Sequence, residues 1–119
     1  DLALLHDSNG WLHGAQGNPP LLVLLIDNQG GGIFQQLPVE SKQFERLFAM
    51  PQRVNPLALA AAHGIDGRQV ACLEDLPEAL EWGLAQGRPA LLRLATDREA
   101  DARLRTQLRS AAQNAESLL

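Results

Sequence analysis

The clearest hydropathy feature of the chain is an unbroken apolar run, Leu21–Ile26, that stops at Asp27-Asn28-Gln29 and gives way to three glycines, Gly30–Gly32. A short continuous apolar run bounded by turn residues predicts a strand buried on both faces. Pro19-Pro20 just before it prevents a helix from running in. The polar, glycine-rich segment then lies at the carboxyl end of a central parallel strand, where open α/β sheets place their ligands. Asn28 offers an amide oxygen there, and the glycines let main chain approach a ligand closely. The alternative is that Asn28–Gly32 is only a flexible loop.

The remaining pattern alternates helix and strand. Leu2, Leu5 and Leu12 share a face of a helix that opens at Asp1, with Asn9-Gly10 interrupting it before a Gly14–Pro20 turn. After the glycines, Ile33–Leu37 predicts one helical turn ending at Pro38, and Ser41–Met50 a short helix with Phe44, Leu47 and Phe48 on one side, stopped by Pro51. Asn55-Pro56 pairs an N-cap with proline at the first helical position, predicting a helix through His63 that Gly64 closes. Strands are predicted at Arg68–Leu73 and Pro89–Ala95. Between them, Glu74–Gln86 reads as an amphipathic helix with Leu76, Ala79, Leu80, Trp82-Gly83 and Leu84 inward. A final helix, Asp97–Leu119, carries Ala100, Leu104, Leu108, Ala111, Ala115 and Leu118 as a narrow apolar stripe. This order predicts a doubly wound α/β domain, 1–119, with a mainly parallel sheet and helices on both faces.

Length and charge narrow the function. The 119 residues suffice for one domain. With 14 acids against 10 bases, a net charge of −4 and no basic run, a nucleic-acid partner is not expected. A diphosphate ligand stays compatible, because glycine backbone and a metal ion hold phosphates without basic side chains. The single cysteine, Cys72, excludes an internal disulfide and a cysteine metal site, and reads as an inert core residue. No apolar run approaches the roughly 20 residues of a membrane span. The chain opens at Asp1 with no basic start and no initiator Met, so a piece of a longer cytoplasmic protein is expected.

The candidate chemistry joins Asp1, at a helix start, to Asn28, at a strand end; in a parallel sheet both reach one carboxyl-end crevice. A carboxylate, an amide oxygen and a main-chain carbonyl are hard ligands that suit Mg²⁺. Taken alone, Asp1 reads more simply as an N-cap. His6, His13 and His63 lack motif partners and read as structural or exposed. Arg93, inside a buried strand, needs a neighbouring carboxylate. Arg98, Arg103, Arg105 and Arg109, interspersed with acids, read as a solvated helix face.

DLALLHDSNG, then IDNQGGGIF, then MPQ resembles the diphosphate-binding domain of thiamine-diphosphate enzymes. Within them it is most similar to the menaquinone- and phylloquinone-pathway synthases that make 2-succinyl-5-enolpyruvyl-6-hydroxy-3-cyclohexene-1-carboxylate. The family motif starts with Gly-Asp and ends with Asn before a glycine pair. The resemblance implies that Asp1, Asn28 and the Gly30 carbonyl hold Mg²⁺ (or Mn²⁺) against thiamine diphosphate, with Leu2 and Gly31 also touching the cofactor. Leu2 stands where the wider class often has glycine, a departure shared with the synthases. Ile33 and Phe34 are implied to line the pocket of the second substrate; two adjacent apolar core residues are the alternative.

For the whole enzyme the resemblance implies decarboxylation of 2-oxoglutarate and transfer of the remaining unit to isochorismate. It also implies other domains and a second subunit, in a homodimer or homotetramer. The cofactor-activating glutamate of the family belongs to another domain of a partner subunit, so no acid here, including Glu40 and Glu45, takes that role; no catalytic residue is assigned and the isolated segment is expected to be inactive. Rivals are an acetolactate synthase, a 2-oxo-acid decarboxylase, or a non-catalytic α/β interaction domain.

Overall fold

A computed structural model describes residues 1–16 and 20–116, with the side chains of 13–16 and 116 left aside. The side chain of His13, the 17–19 part of the expected turn and Leu118 lie outside the described residues. The chain divides into two compact units, Asp1–Asp27 with Gln52–Ala95, and Asn28–Pro51 with Thr96–Leu119.

The first unit holds the sheet: β1 (Leu22–Asp27), β2 (Asp66–Val70) and β3 (Ala90–Ala95), in the order β1-β3-β2 and parallel throughout. Helix α1 (Leu2–His6) and a 3₁₀ segment (Ser8–Gln16) precede β1, α3 (Pro56–Ala62) precedes β2, and α4 (Leu76–Ala85) precedes β3. One core cluster unites Trp11, Leu25, Ala60, Ile65 and Leu91 with Leu4 and Leu57. The other unites Val70, Ala79 and Leu92 with Leu76 and Leu80. Leu91 and Leu92 are adjacent in β3 and point to opposite faces, so the two clusters are the two sides of one doubly wound sheet.

This agrees with the predicted fold class. The Asn55 side chain accepts from the main-chain N–H groups of Leu57 and Ala58 at 3.0 and 3.2 Å, the cap the sequence called for. Gly64 closes α3 at φ +73°.

Four expectations need correction. Only β3 has a strand on each side; β1 is paired along one edge among the described residues, and Leu24 and Ile26 are exposed rather than buried. The first helix stops at His6 and tightens into a 3₁₀ path around Asn9-Gly10, which buries Trp11 and leaves Leu12 exposed. In α4 the buried positions are Ala79 and Gly83, while Leu84 is exposed. Cys72 follows β2, which ends earlier than expected, and is exposed rather than core.

The second unit contains a 3₁₀ turn (Gly32–Phe34), α2 (Ser41–Phe44) running into a π-helical turn (Glu45–Ala49), and α5 (Arg98–Glu116). The π turn explains why Leu47 is exposed: the Met50 N–H donates five residues back, to Glu45, at 3.0 Å. The extra residue in the turn rotates Leu47 off the face that buries Phe44 and Ala49. Asp97 caps α5 by accepting from the Ala100 N–H at 2.7 Å. The expected apolar stripe of α5 is present on the helix, with Leu104 and Leu108 exposed.

Candidate functional site

Asp1 occupies the N-cap position of α1, yet its side chain makes no capping hydrogen bond. The simpler reading of Asp1, a carboxylate present only to cap its helix, therefore lacks the bond that defines it. The main-chain nitrogen of Asp1 donates to the Ile26 carbonyl at 3.5 Å, which puts Asp1 beside the carboxyl end of β1. Leu2 opens α1 and is half-buried.

β1 ends on Asp27. Its carboxylate is buried, at 5% exposure, and faces Arg93 of β3. Arg93 donates from Nε at 2.7 Å, its Nη2 lies 2.6 Å from the same oxygen, and its Nη1 donates to Gln69 Oε1 at 2.7 Å. The carboxylate that Arg93 required is thus the residue immediately before Asn28.

The loop that begins at Asn28 belongs to the second unit. Gln29 (φ +60°) and Gly30 (φ +124°) take left-handed backbone conformations, and the Gly31 N–H donates to the Ala49 carbonyl at 2.8 Å. A Cβ on Gly30 would meet the Ala49 oxygen at 2.1 Å, and one on Gly31 the Phe48 oxygen at 2.3 Å. The glycines were expected to admit a ligand; they first admit the chain's own π-helical turn. The consequence for the site is a main-chain path that only glycine can follow and that is pinned in place. A small cavity of about 190 Å³ is lined by Asn28, Gln29 and residues 96–99.

Ile33 and Phe34 follow on the 3₁₀ turn and are exposed, at 75% and 39%. Neither belongs to the core clusters of this chain. Phe34 meets the Phe48 ring at a tilt of 59°, with centroids 5.8 Å apart.

Among the described residues no group of three or more His, Cys, Asp or Glu is placed to hold a metal ion. A set of one carboxylate with amide and main-chain oxygens suits Mg²⁺, which keeps water and ligand phosphate in its shell. Asp1, Asn28 and the Gly30 carbonyl are groups of that kind.

Other candidates resolve differently. His6 is exposed and His63 half-buried at the end of α3. Exposed Cys72 shares a hydrogen bond with Glu74, which raises the thiol pKa. The α5 arginines are not all a solvated face: Arg103 and Arg109 are exposed, but the Arg98 side chain is only 12% exposed. Helical periodicity does not distinguish it from its neighbours. A groove of about 700 Å³ lies between Gln35-Gln36 and the Arg103–Arg109 stretch of α5 and contains none of the predicted site residues.

Residues 1–94 match the family described as thiamine pyrophosphate enzyme, C-terminal TPP binding domain. The chain is 97% identical over its full length to a Parasynechococcus marenigrum (strain WH8102) protein and covers 22% of it. It is 71% identical over 98% of its length to a Synechococcus sp. (strain CC9902) protein, covering 21% of it. It is 65% identical over 92% of its length to one from Prochlorococcus marinus (strain MIT 9313), covering 19% of it. All three carry the name 2-succinyl-5-enolpyruvyl-6-hydroxy-3-cyclohexene-1-carboxylate synthase. The chain thus spans about a fifth of the length of these relatives.

Proposed function

Because this chain belongs to the thiamine pyrophosphate enzymes, through their C-terminal TPP binding domain, we propose that it holds the diphosphate of thiamine diphosphate through a divalent metal, Mg²⁺ or Mn²⁺. Asp1 supplies a carboxylate, Asn28 its amide oxygen and Gly30 its main-chain carbonyl. Leu2 and Gly31 line the cofactor without binding the metal. The observation that carries this is the loop after β1: left-handed at Gln29 and Gly30, hydrogen-bonded through Gly31 to Ala49, and too tightly packed for any side chain at Gly30 or Gly31. Such a loop offers fixed main-chain dipoles to an anion and its counter-ion at no cost of reorganisation.

The whole protein, by the same proposal, decarboxylates 2-oxoglutarate and joins the remaining four-carbon unit to isochorismate. When bound, thiamine diphosphate supplies the electron sink for that decarboxylation. The residues of this chain bind and orient: the metal ligands fix the diphosphate, and Ile33 and Phe34, exposed directly after the loop, contact the acceptor. Glu45 takes no part in activating the cofactor; it is the ion-pair partner of Arg98 at 2.8 Å. The other domains and a second subunit complete the site.

The test is an assay of the full-length protein with 2-oxoglutarate, with and without isochorismate. The adduct should form only when both are present with metal and cofactor. Turnover of pyruvate in preference to 2-oxoglutarate would assign the protein to the acetolactate synthase or decarboxylase type. Failure to bind metal and thiamine diphosphate would leave only an interaction domain.

A further inference from the structure

Arg98 joins the glycine loop to the π-helical turn. Its Nη2 donates to both carboxylate oxygens of Glu45, at 2.8 and 2.9 Å, and its Nη1 donates to the Gln29 carbonyl at 3.3 Å. The guanidinium carbon sits 5.7 Å from the centre of the Phe44 ring, within cation–π range. The loop is built around this side chain: a Cβ on Gly30 would come within 3.2 Å of Nη1, and one on Gly32 within 3.3 Å of Cγ. We propose that Arg98 is a positioning residue that holds the loop 28–32 in the conformation receiving the cofactor diphosphate. This rests on the assignment of that loop to the cofactor made above.

Three observations favour positioning over simple anchoring of a helix. First, α5 does not need Arg98 to start, because Asp97 caps it and Thr96 Oγ1 donates to Asp101 at 3.1 Å. Second, Arg98 grips the carbonyl of Gln29, a non-glycine residue at φ +60°, a conformation that persists only when its surroundings hold it. The loop is held on two sides, at Gln29 by Arg98 and at Gly31 by Ala49, and both restraints return to the one turn Glu45–Ala49. Third, only a planar fork satisfies Glu45 and Gln29 at once while lying over an aromatic ring; a lysine ammonium, a single point charge, cannot.

The experiment uses the full-length protein and the variants Arg98→Met, Arg98→Lys and Glu45→Gln, with Asn28→Ala in parallel. Thiamine diphosphate is titrated at fixed Mg²⁺, and the melting temperature of each cofactor-free protein is recorded. Outer-shell groups that orient ligands typically contribute about 10- to 100-fold in affinity. Arg98→Met should therefore weaken cofactor binding by at least about tenfold well below its melting temperature, and raise the KM for cofactor while sparing kcat at saturation. Arg98→Lys should fail to restore affinity, and Glu45→Gln should weaken it in the same direction. If Arg98→Met does not fold, Arg98→Lys and Glu45→Gln decide. Wild-type affinity in the folded variants, with Asn28→Ala defective, overturns the role of Arg98 alone. Wild-type affinity in Asn28→Ala overturns the underlying site as well.

Discussion

Asp27 and Arg93 form an ion pair across the β1–β3 boundary, 2.6 Å between Nη2 and Oδ2, with the carboxylate buried. The pair fixes the last residue of β1, from which the loop at Asn28 departs. Removing one partner leaves a largely desolvated charge behind, which costs more than the pair itself contributes. Asp27→Ala should destabilise the protein by about 3 kcal/mol. The double variant Asp27→Leu/Arg93→Leu should recover much of that loss. Denaturant unfolding of both checks the coupling; equal losses would contradict it.

Gly31 and Gly64 separate two uses of glycine. Gly64 needs its positive φ, but nothing lies within 4 Å of a Cβ there, so Gly64→Ala should cost only about 1 kcal/mol. A methyl group on Gly31 would strike the Phe48 carbonyl oxygen at 2.3 Å, and main chain cannot yield as a side-chain tip does. Gly31→Ala should therefore displace the loop and abolish cofactor binding even where the fold survives. Cofactor titration alongside circular dichroism measures both, and near-wild-type binding in Gly31→Ala would show the packing to be unimportant.

Much of the fold was legible because local chemistry and tertiary structure agree. Asn55-Pro56 starts a helix, Leu21–Ile26 contains a strand, and Asp97 caps α5 as its residue type suggests. Several of the misses depended on a partner distant in sequence. Periodicity cannot show that Glu45–Ala49 widens into a π turn, that Trp11 rather than Leu12 faces inward, or that Arg98 folds under the glycine loop when Arg103 does not. Asp27 was overlooked beside Asn28 because its partner, Arg93, lies in another strand.

Ile33 and Phe34 offer a test of function uncoupled from stability. Both are exposed, so neither substitution should carry the roughly 3–5 kcal/mol of a buried aromatic deletion. Ile33→Ala should alter stability by no more than about 0.5 kcal/mol. If the pair contacts the acceptor, each truncation should lower kcat/KM for isochorismate by about 10- to 200-fold and leave cofactor affinity intact. Unchanged kcat/KM in both would remove them from the acceptor pocket.

Cys72 is exposed, yet its pKa is raised, chiefly by its hydrogen bond with Glu74 and against a backbone hydrogen bond at Asp75 that lowers it; the Glu74 carboxyl is lowered, through its own backbone and the thiol. A raised thiol pKa means the folded protein holds its proton more tightly. That contribution to stability is complete below the thiol's unfolded pKa and disappears as pH rises through the folded value. For Glu74 the sign reverses: its contribution is complete above the unfolded carboxyl pKa and is lost as pH falls through the folded one. Alkylation near pH 8 should thus be slower at Cys72 than at a free cysteine, and faster in Glu74→Gln. Identical rates in the two proteins would contradict the assigned cause.

We propose that Asp1 and Asn28 hold the metal against thiamine diphosphate. The most direct test is titration of the full-length protein with thiamine diphosphate at fixed Mg²⁺, comparing wild type with Asp1→Ala and Asn28→Ala. Wild type should show saturable, metal-dependent binding that both variants lose, with the melting temperature of the cofactor-free proteins little changed. Unchanged cofactor affinity in both variants would contradict it.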